Sequence, residues 1–437
     1  MADSRNPFYF GAATSSHQVE GGNRFNDWWQ WEAEGRVREP SGPACNHYER
    51  FREDAGLAAQ LGHTAHRFSI EWSRVEPAEG DWNEEALEHY RAVILDLRSR
   101  GMEPFVTLHH FTNPVWFVRK GAWESDQAAF YFSRFVKKVT AHLGEQVKFW
   151  ITINEPMVYV YKSFLEGTWP PGKQSFSACM RVIRNLIYGH IEAYRVIHQH
   201  YQDHGFEKPW VSIAKHVIQF DPCRRDSKKD RVMTALRDWF FNHLYLQALT
   251  TGFLFFPGFF LEFLPVRDSL DFIGVNYYFR DFIRFERVKA KDPFGEICDQ
   301  KHHASEILET TQMGWQVRPE GLFQRLLALL KYGKPVVIAE NGIATDDEDQ
   351  RRRYITSHLQ FTALAARQGV KVLGYFYWSL LDNFEWDRGY APKFGLITAG
   401  PGIPERKIKP GAHVFTEMCR KLFTKAQEDI LHASGSF

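Results

Sequence analysis

Two glutamates in the chain stand at the ends of apolar runs, each beside an asparagine: Glu155 in WITINEPMV and Glu340 in PVVIAENG. A carboxylate in that setting rarely works alone. Cleavage of a glycosidic bond needs one carboxylic acid to protonate the leaving oxygen and a second carboxylate to attack the anomeric carbon or activate water. The acid has to stay protonated near neutral pH and its partner ionised, so the site must push the two pKa values apart through burial and neighbours. Arg67, placed beside one glutamate, would hold it as the anion. Tyr278 could donate its hydroxyl to the same group. Gln18, His110 and Asn154 are neutral donors and acceptors suited to sugar hydroxyls, and tryptophans offer flat faces to the C–H surface of a ring. Fourteen tryptophans are present, and Trp123, Trp315, Trp378 and Trp386 fall in loops or at strand ends, where a core role is less automatic. Taken singly these residues have plainer readings. An arginine in a strand completes a buried ion pair, paired histidines cap a loop, and a strand-end glutamate is solvated. Those readings leave unexplained why two glutamates end apolar strands beside asparagines.

Stepping from these residues to the elements that carry them, short β-branched and aromatic runs recur at 8–14, 64–70, 104–110, 148–156, 210–216, 271–278, 335–342 and 372–380. Amphipathic stretches lie between them at 45–62, 84–101, 127–144, 318–333 and 349–369, several closed by glycine. Eight strands alternating with helices predict an α/β fold, a single (β/α)8 TIM barrel with long loops at its C-terminal face. One domain over 1–437 is expected, with the barrel at about 8–423 and a tail at 424–437. The loops 15–44, 156–180 and 279–317 should wall a pocket where the strands end. His17 and Gln18 follow the first strand and Arg67 lies in the second. His109 and His110 end the third, Asn154 and Glu155 the fourth, Asn276 and Tyr278 the sixth, Glu340 and Asn341 the seventh, and Trp378 the eighth. His109 and His110 are adjacent in a strand, so only one can face the pocket.

Composition narrows the partners. Fifty-four Lys+Arg against 53 Asp+Glu give a formal charge of +1, which argues against nucleic acid, membrane surfaces and polyanions and for an uncharged small-molecule substrate. Five scattered cysteines, Cys45, Cys179, Cys223, Cys298 and Cys419, show neither CxxC nor Cys/His metal spacing and read as reduced thiols in a cytoplasmic protein. No basic region followed by an apolar stretch opens the chain, and no run approaches a membrane span, so export and insertion are not expected.

These motifs resemble glycoside hydrolase family 1, the β-glucosidase family, from FGAATSSHQVEG to about Leu396. TINEP and IAENG carry the resemblance most specifically, with RFSIEWSR, TLHHFTNP, GVNYY, GWQVRPEGL and YWSLLDNFEW in order behind them. The resemblance implies a retaining double displacement with Glu155 as acid/base and Glu340 as nucleophile, and no metal or cofactor. It implies a glycone held by Gln18, His110, Asn154, Glu385 and Trp386 over a Trp378 platform. Arg67, Asn276 and Tyr278 would orient and charge-tune the nucleophile, and Trp315 would line the aglycone side. The substrate implied is a β-glucoside or cello-oligosaccharide cleaved from its non-reducing end, with galactosyl and fucosyl residues also accepted. Glutamate rather than glutamine at 155 points away from thioglucosides. Relatives acting on 6-phosphosugars carry serine at the position of Glu385, and lysine and tyrosine at those of Pro392 and Phe394, so an unphosphorylated glycone is expected. Two departures touch the pocket wall: VIAENG in place of the threonine-containing ITENG, and Asn113-Pro114 in place of a leucine-proline pair. A transglycosylase using the same glycosyl-enzyme and a catalytically silent sugar-binding barrel are the alternatives, and a homo-oligomer is left open.

Overall fold

The computed structural model describes residues 8–286 and 292–424. Eight parallel strands close into a barrel in sequential order: β1 (Tyr9–Ala13), β2 (Ala65–Ser69), β3 (Glu103–Thr107), β4 (Phe149–Asn154), β5 (Trp210–His216), β6 (Ile273–Asn276), β7 (Val336–Asn341) and β8 (Val372–Trp378), with β8 pairing back onto β1. Each falls within one of the eight runs expected from the sequence, except that β3 begins one residue earlier, at Glu103. Strands buried on both faces read as continuous apolar runs, which is why length and flanking residues had to separate them from helices.

The five expected helices form at His47–Gln60, Glu84–Ser99, Ala128–Leu143, Pro319–Leu329 and Glu348–Arg367. Two of the starts are marked by side-chain caps. Asn83 Oδ1 accepts from the Ala86 amide at 3.0 Å, and Asp347 Oδ1 accepts from the amides of Asp349 and Gln350. The expected loop 156–180 is instead largely helical. Pro156–Val160 and a wider turn over Tyr161–Glu166 follow β4, and a 29-residue helix, Phe176–His204, begins at the Ser175 cap. Proline at the first helical position favours that start, a cue the strand reading of KFWITINEP absorbed. The region 279–317 carries part of a small sheet, in which Arg280–Arg284 pairs with Gln219–Pro222 on one side and Glu296–Ile297 on the other.

That small sheet overturns one expectation. Cys223 and Cys298, 75 residues apart in sequence, are joined by a disulfide. Both leave the sheet beside the same strand, the Cys223 amide bonding the Ile283 carbonyl and the Cys298 amide that of Phe282. Five isolated thiols are therefore reduced to three, Cys45, Cys179 and Cys419, all buried. Part of the argument for a cytoplasmic setting goes with them. Among the described residues no helix is long and apolar enough to cross a membrane.

Inside the barrel, Phe105 and Phe149 stack at 4.2 Å with Tyr9 edge-on to both, filling the lower layer below the polar groups of the mouth. The tail from 425 onward lies outside the described residues.

Candidate active site

Both glutamates sit where a strand loses its register. The pairing of β4 with β5 shifts between Ile151 and Asn154, and that of β7 with β6 shifts between Ile338 and Glu340. Such irregularities re-aim side chains beside sites. Glu155 itself takes a left-handed backbone, φ 44° and ψ 56°, a conformation that costs a non-glycine residue of order 1–3 kcal/mol and is held only where the surroundings enforce it. Gly342 of the ENG motif has a steric reason to be glycine. A Cβ there would lie 1.8 Å from the Trp378 carbonyl oxygen, so a side chain would force β7 and β8 apart just beyond Glu340.

The two carboxyls face one cavity of about 310 Å3 at the C-terminal ends of the strands. Gln18, His110, Asn154, Tyr278, Trp315, Trp378, Glu385, Trp386 and Phe394 line it with them, which brings together most of the expected site. Arg67 and Asn276 lie behind the wall. Arg67 donates to Glu340 Oε1 at 2.5 Å, to Asn154 Oδ1 at 2.7 Å and to Thr107 Oγ1 at 3.2 Å, while Tyr278 donates to Glu340 Oε2 at 2.6 Å. Asn276 Nδ2 donates to Glu155 Oε1 at 2.8 Å and to Asn154 Oδ1 at 3.2 Å. One chain of hydrogen bonds thus runs from Glu340 through Arg67, Asn154 and Asn276 to Glu155.

His110 and His109 part as expected. His110 lines the cavity and meets Asn154 Nδ2 at 3.1 Å, whereas His109 turns into the wall toward Asn113. Burial and the Arg67 charge hold His110 well below the usual imidazole range, so it meets the cavity neutral. His17 is taken up by Glu32 and Asn26 and does not line the cavity. Asn341 points outward to Tyr354 and the Tyr277 carbonyl, as alternation from Glu340 requires.

Trp123 is the expected site residue that the structure does not bring in. It is fully buried and absent from the cavity lining. Its indole N–H donates to Asn113 Oδ1 at 2.9 Å, and its ring packs against Phe117, Phe132 and Gly189. The departure at Asn113 supplies the reason. Asn113 offers a buried acceptor for the indole, and its own N–H groups are fixed by Asp27 at 2.8 and 2.9 Å.

His216 was missed. It ends β5, lines the cavity, and its Nδ1 lies 3.0 Å from Glu155 Oε1. The run WVSIAKH did end in a histidine at the barrel mouth, so position alone could have flagged it. Phe111, Trp169 and Phe279 add aromatic lining from loops that carry no strand-end signal.

The electrostatics reverse a simple expectation. Burial pushes Glu340 up to about 7, with Arg67 and Tyr278 pulling it down and the charge of Glu155 adding to the rise. Burial also pushes Glu155 up, but His216, Asn276 and Lys215 outweigh it and hold the carboxyl below its ordinary range. The candidate nucleophile is thus the higher of the two. The charge of Glu155 bears on Glu340, so the two carboxyls titrate as a pair. Glu385 is pushed up to about 8 by burial and by the charges of Glu340, Asp387 and Glu155. The carboxylate–phosphate repulsion expected at this position is therefore weaker near neutral pH than a full charge would make it. Pro392 and Phe394 still offer a phosphate no cation or hydroxyl from their side chains.

Residues 2–422 match the family model described as Glycosyl hydrolase family 1. The chain belongs to glycosyl hydrolase family 1. Within this family it is 31% identical to "Beta-glucosidase A" of Thermotoga maritima, across 94% of this chain and 97% of that one. It is 30% identical to "Beta-galactosidase" of Pyrococcus woesei, across 91% and 93%. Among solved family 1 structures, the "beta-glycosidase from Pyrococcus horikoshii" superposes with a TM-score of 0.87 at 41% identity over 94% of each chain. The β-glucosidase from Thermotoga maritima in complex with glucoimidazole gives 0.86 at 29% identity, over 96% of this chain and 98% of that one. The enzyme is a glycosidase of this family on a (β/α)8 barrel.

Proposed function

We propose that the chain is a retaining exo-β-glycosidase that releases unphosphorylated β-D-glucosyl residues, and also β-galactosyl and β-fucosyl residues, from the non-reducing ends of β-glucosides and short oligosaccharides. The observation that carries this reading is the pair of carboxyls on one cavity, one of them gripped by a guanidinium and a phenol. Arg67 and Tyr278 favour Glu340 as the anion, aimed at the anomeric carbon. Burial keeps Tyr278 far above its ordinary range, so it remains a donor throughout.

In the first step Glu340 attacks C1 while Glu155 passes its proton to the leaving oxygen, and a glycosyl ester forms. In the second, Glu155 takes a proton from water as that water attacks C1, and Glu340 leaves. Gln18, Glu385 and Trp386 all line the cavity, with the Gln18 amide donating to Glu385 Oε2 at 3.3 Å. These groups offer a glycone the polar and aromatic contacts that the family resemblance implies for exo cleavage. Glu385, able to donate or accept, suits more than one hydroxyl epimer. The relatives named for glucosidase and galactosidase activity support the same breadth.

The deciding experiment follows an aryl β-glucoside by proton NMR and assays Glu340→Ala and Glu155→Ala beside it. The β-anomer should appear first. Glu340→Ala should lose at least about a thousandfold in kcat, roughly 4 kcal/mol at the barrier. First formation of the α-anomer, or wild-type turnover by Glu340→Ala, overturns the mechanism.

A further inference from the structure

Away from the carboxyls, the turn after Gln219–Pro222 and the segment that follows β6 bring together groups whose chemistry the glycosidase reaction does not use. One donor atom from each of Cys223, Cys298 and His303 lies within 4.8 Å of the other two. His303 is 95% buried, with a relative exposure of 5%, and its ring is clamped flat on Phe282 at 3.6 Å. Its Nε2 has no hydrogen-bond partner among the described residues. The next residue back, His302, places Nδ1 3.4 Å from Cys298 Sγ.

We propose that these residues form a thiolate–imidazole site for a borderline-soft divalent cation of the zinc type, available when the disulfide is reduced. Two thiolates and two imidazoles are the donor set that such an ion prefers. In a tetrahedral site its ligand atoms stand ~3.3–3.8 Å apart, inside the 4.8 Å within which the three donor atoms already lie. An unpartnered buried imidazole nitrogen is costly unless something accepts its lone pair or its proton, and a metal ion does the former. Balance is simple. A dithiol reductant breaks the Cys223–Cys298 bond, supplying two electrons and two protons and closing to its own disulfide. The cation then displaces the two thiol protons.

The consequence lies on the aglycone side. Ile297 precedes Cys298 and lines the cavity, as do Met313 and Trp315 further along the same segment. Bound metal would fasten that segment to the turn after Gln219–Pro222.

The test uses full-length enzyme reduced with dithiothreitol, freed of reductant without oxygen, and titrated with Co2+. A thiolate-to-cobalt charge-transfer band should grow to one equivalent and vanish on adding Zn2+. Oxidised enzyme and the Cys223→Ser and Cys298→Ser variants should lack the band, and His303→Ala should bind at least about tenfold more weakly. Turnover of an aryl glucoside checks that each variant is folded. If a variant does not fold, competition between reduced wild type and a chromophoric zinc chelator decides instead. No thiolate band and no competition, or an undiminished band in Cys298→Ser, overturns the proposal.

Discussion

His216 Nδ1 lies 3.0 Å from Glu155 Oε1, the two side chains arriving from neighbouring strands of the barrel. Among the groups that hold the proposed acid below its ordinary range, His216 is the strongest. Lys215, pushed down to about 7 by burial, adds to the same field from the other face of β5.

Replacing His216 by asparagine should therefore raise the Glu155 pKa, because the partner that lowers it is gone. A general acid works while protonated, so the basic limb of kcat/KM should move to higher pH, by about one unit. The profile is best measured with a poor leaving group, which needs the proton most. A basic limb unmoved by the substitution would remove His216 from the proton inventory.

Arg67→Met should act in the opposite part of the profile. Glu340 would lose its permanent cation, rise further above about 7, and ionise only at higher pH, so the acidic limb should shift upward. It would also leave a buried carboxyl without its partner, and a stability loss of about 3–5 kcal/mol is expected in urea unfolding. The two readouts separate charge tuning from mere support.

Glu385→Gln tests a raised carboxyl directly. A group whose folded pKa is about 8 against an unfolded value near 4.5 contributes stability that is fully present below the unfolded value and is lost as pH rises through the folded one. The variant should thus melt higher than the parent at pH 8, with that advantage gone at pH 4, and should bind glucosides less well at either pH.

Trp123→Phe should leave KM for an aryl glucoside within about twofold while costing about 1–3 kcal/mol of stability, since Asn113 Oδ1 loses its indole donor in a buried setting. Trp386→Ala, on the cavity wall, should raise KM sharply. Equal effects of the two on KM would restore Trp123 to the site.

The eight strands and the two glutamates were legible because each depends on local pattern: apolar runs of strand length, and a carboxylate where such a run ends. Gln18, His110 and Trp378 were legible from their places at strand ends, and Glu385 only through the longer motif that places it. What escaped had its cause elsewhere in the chain. Trp123 left the site because of Asn113, ten residues away, and the Cys223–Cys298 pairing depends on a small sheet that joins segments 75 residues apart. His216 sat in plain view at a strand end, where its place at the barrel mouth was the one signal that marked it.

The planar fork of Arg67 reaches from β2 to Glu340 on β7 and to Asn154 on β4. A stiff group fixed inside the wall therefore acts as a gauge for the span between the two carboxyl-bearing strands, beneath the loops that shape the mouth. Loops could be exchanged or lengthened among such barrels, changing which leaving group is admitted, while the stereochemical course of the reaction stays the same.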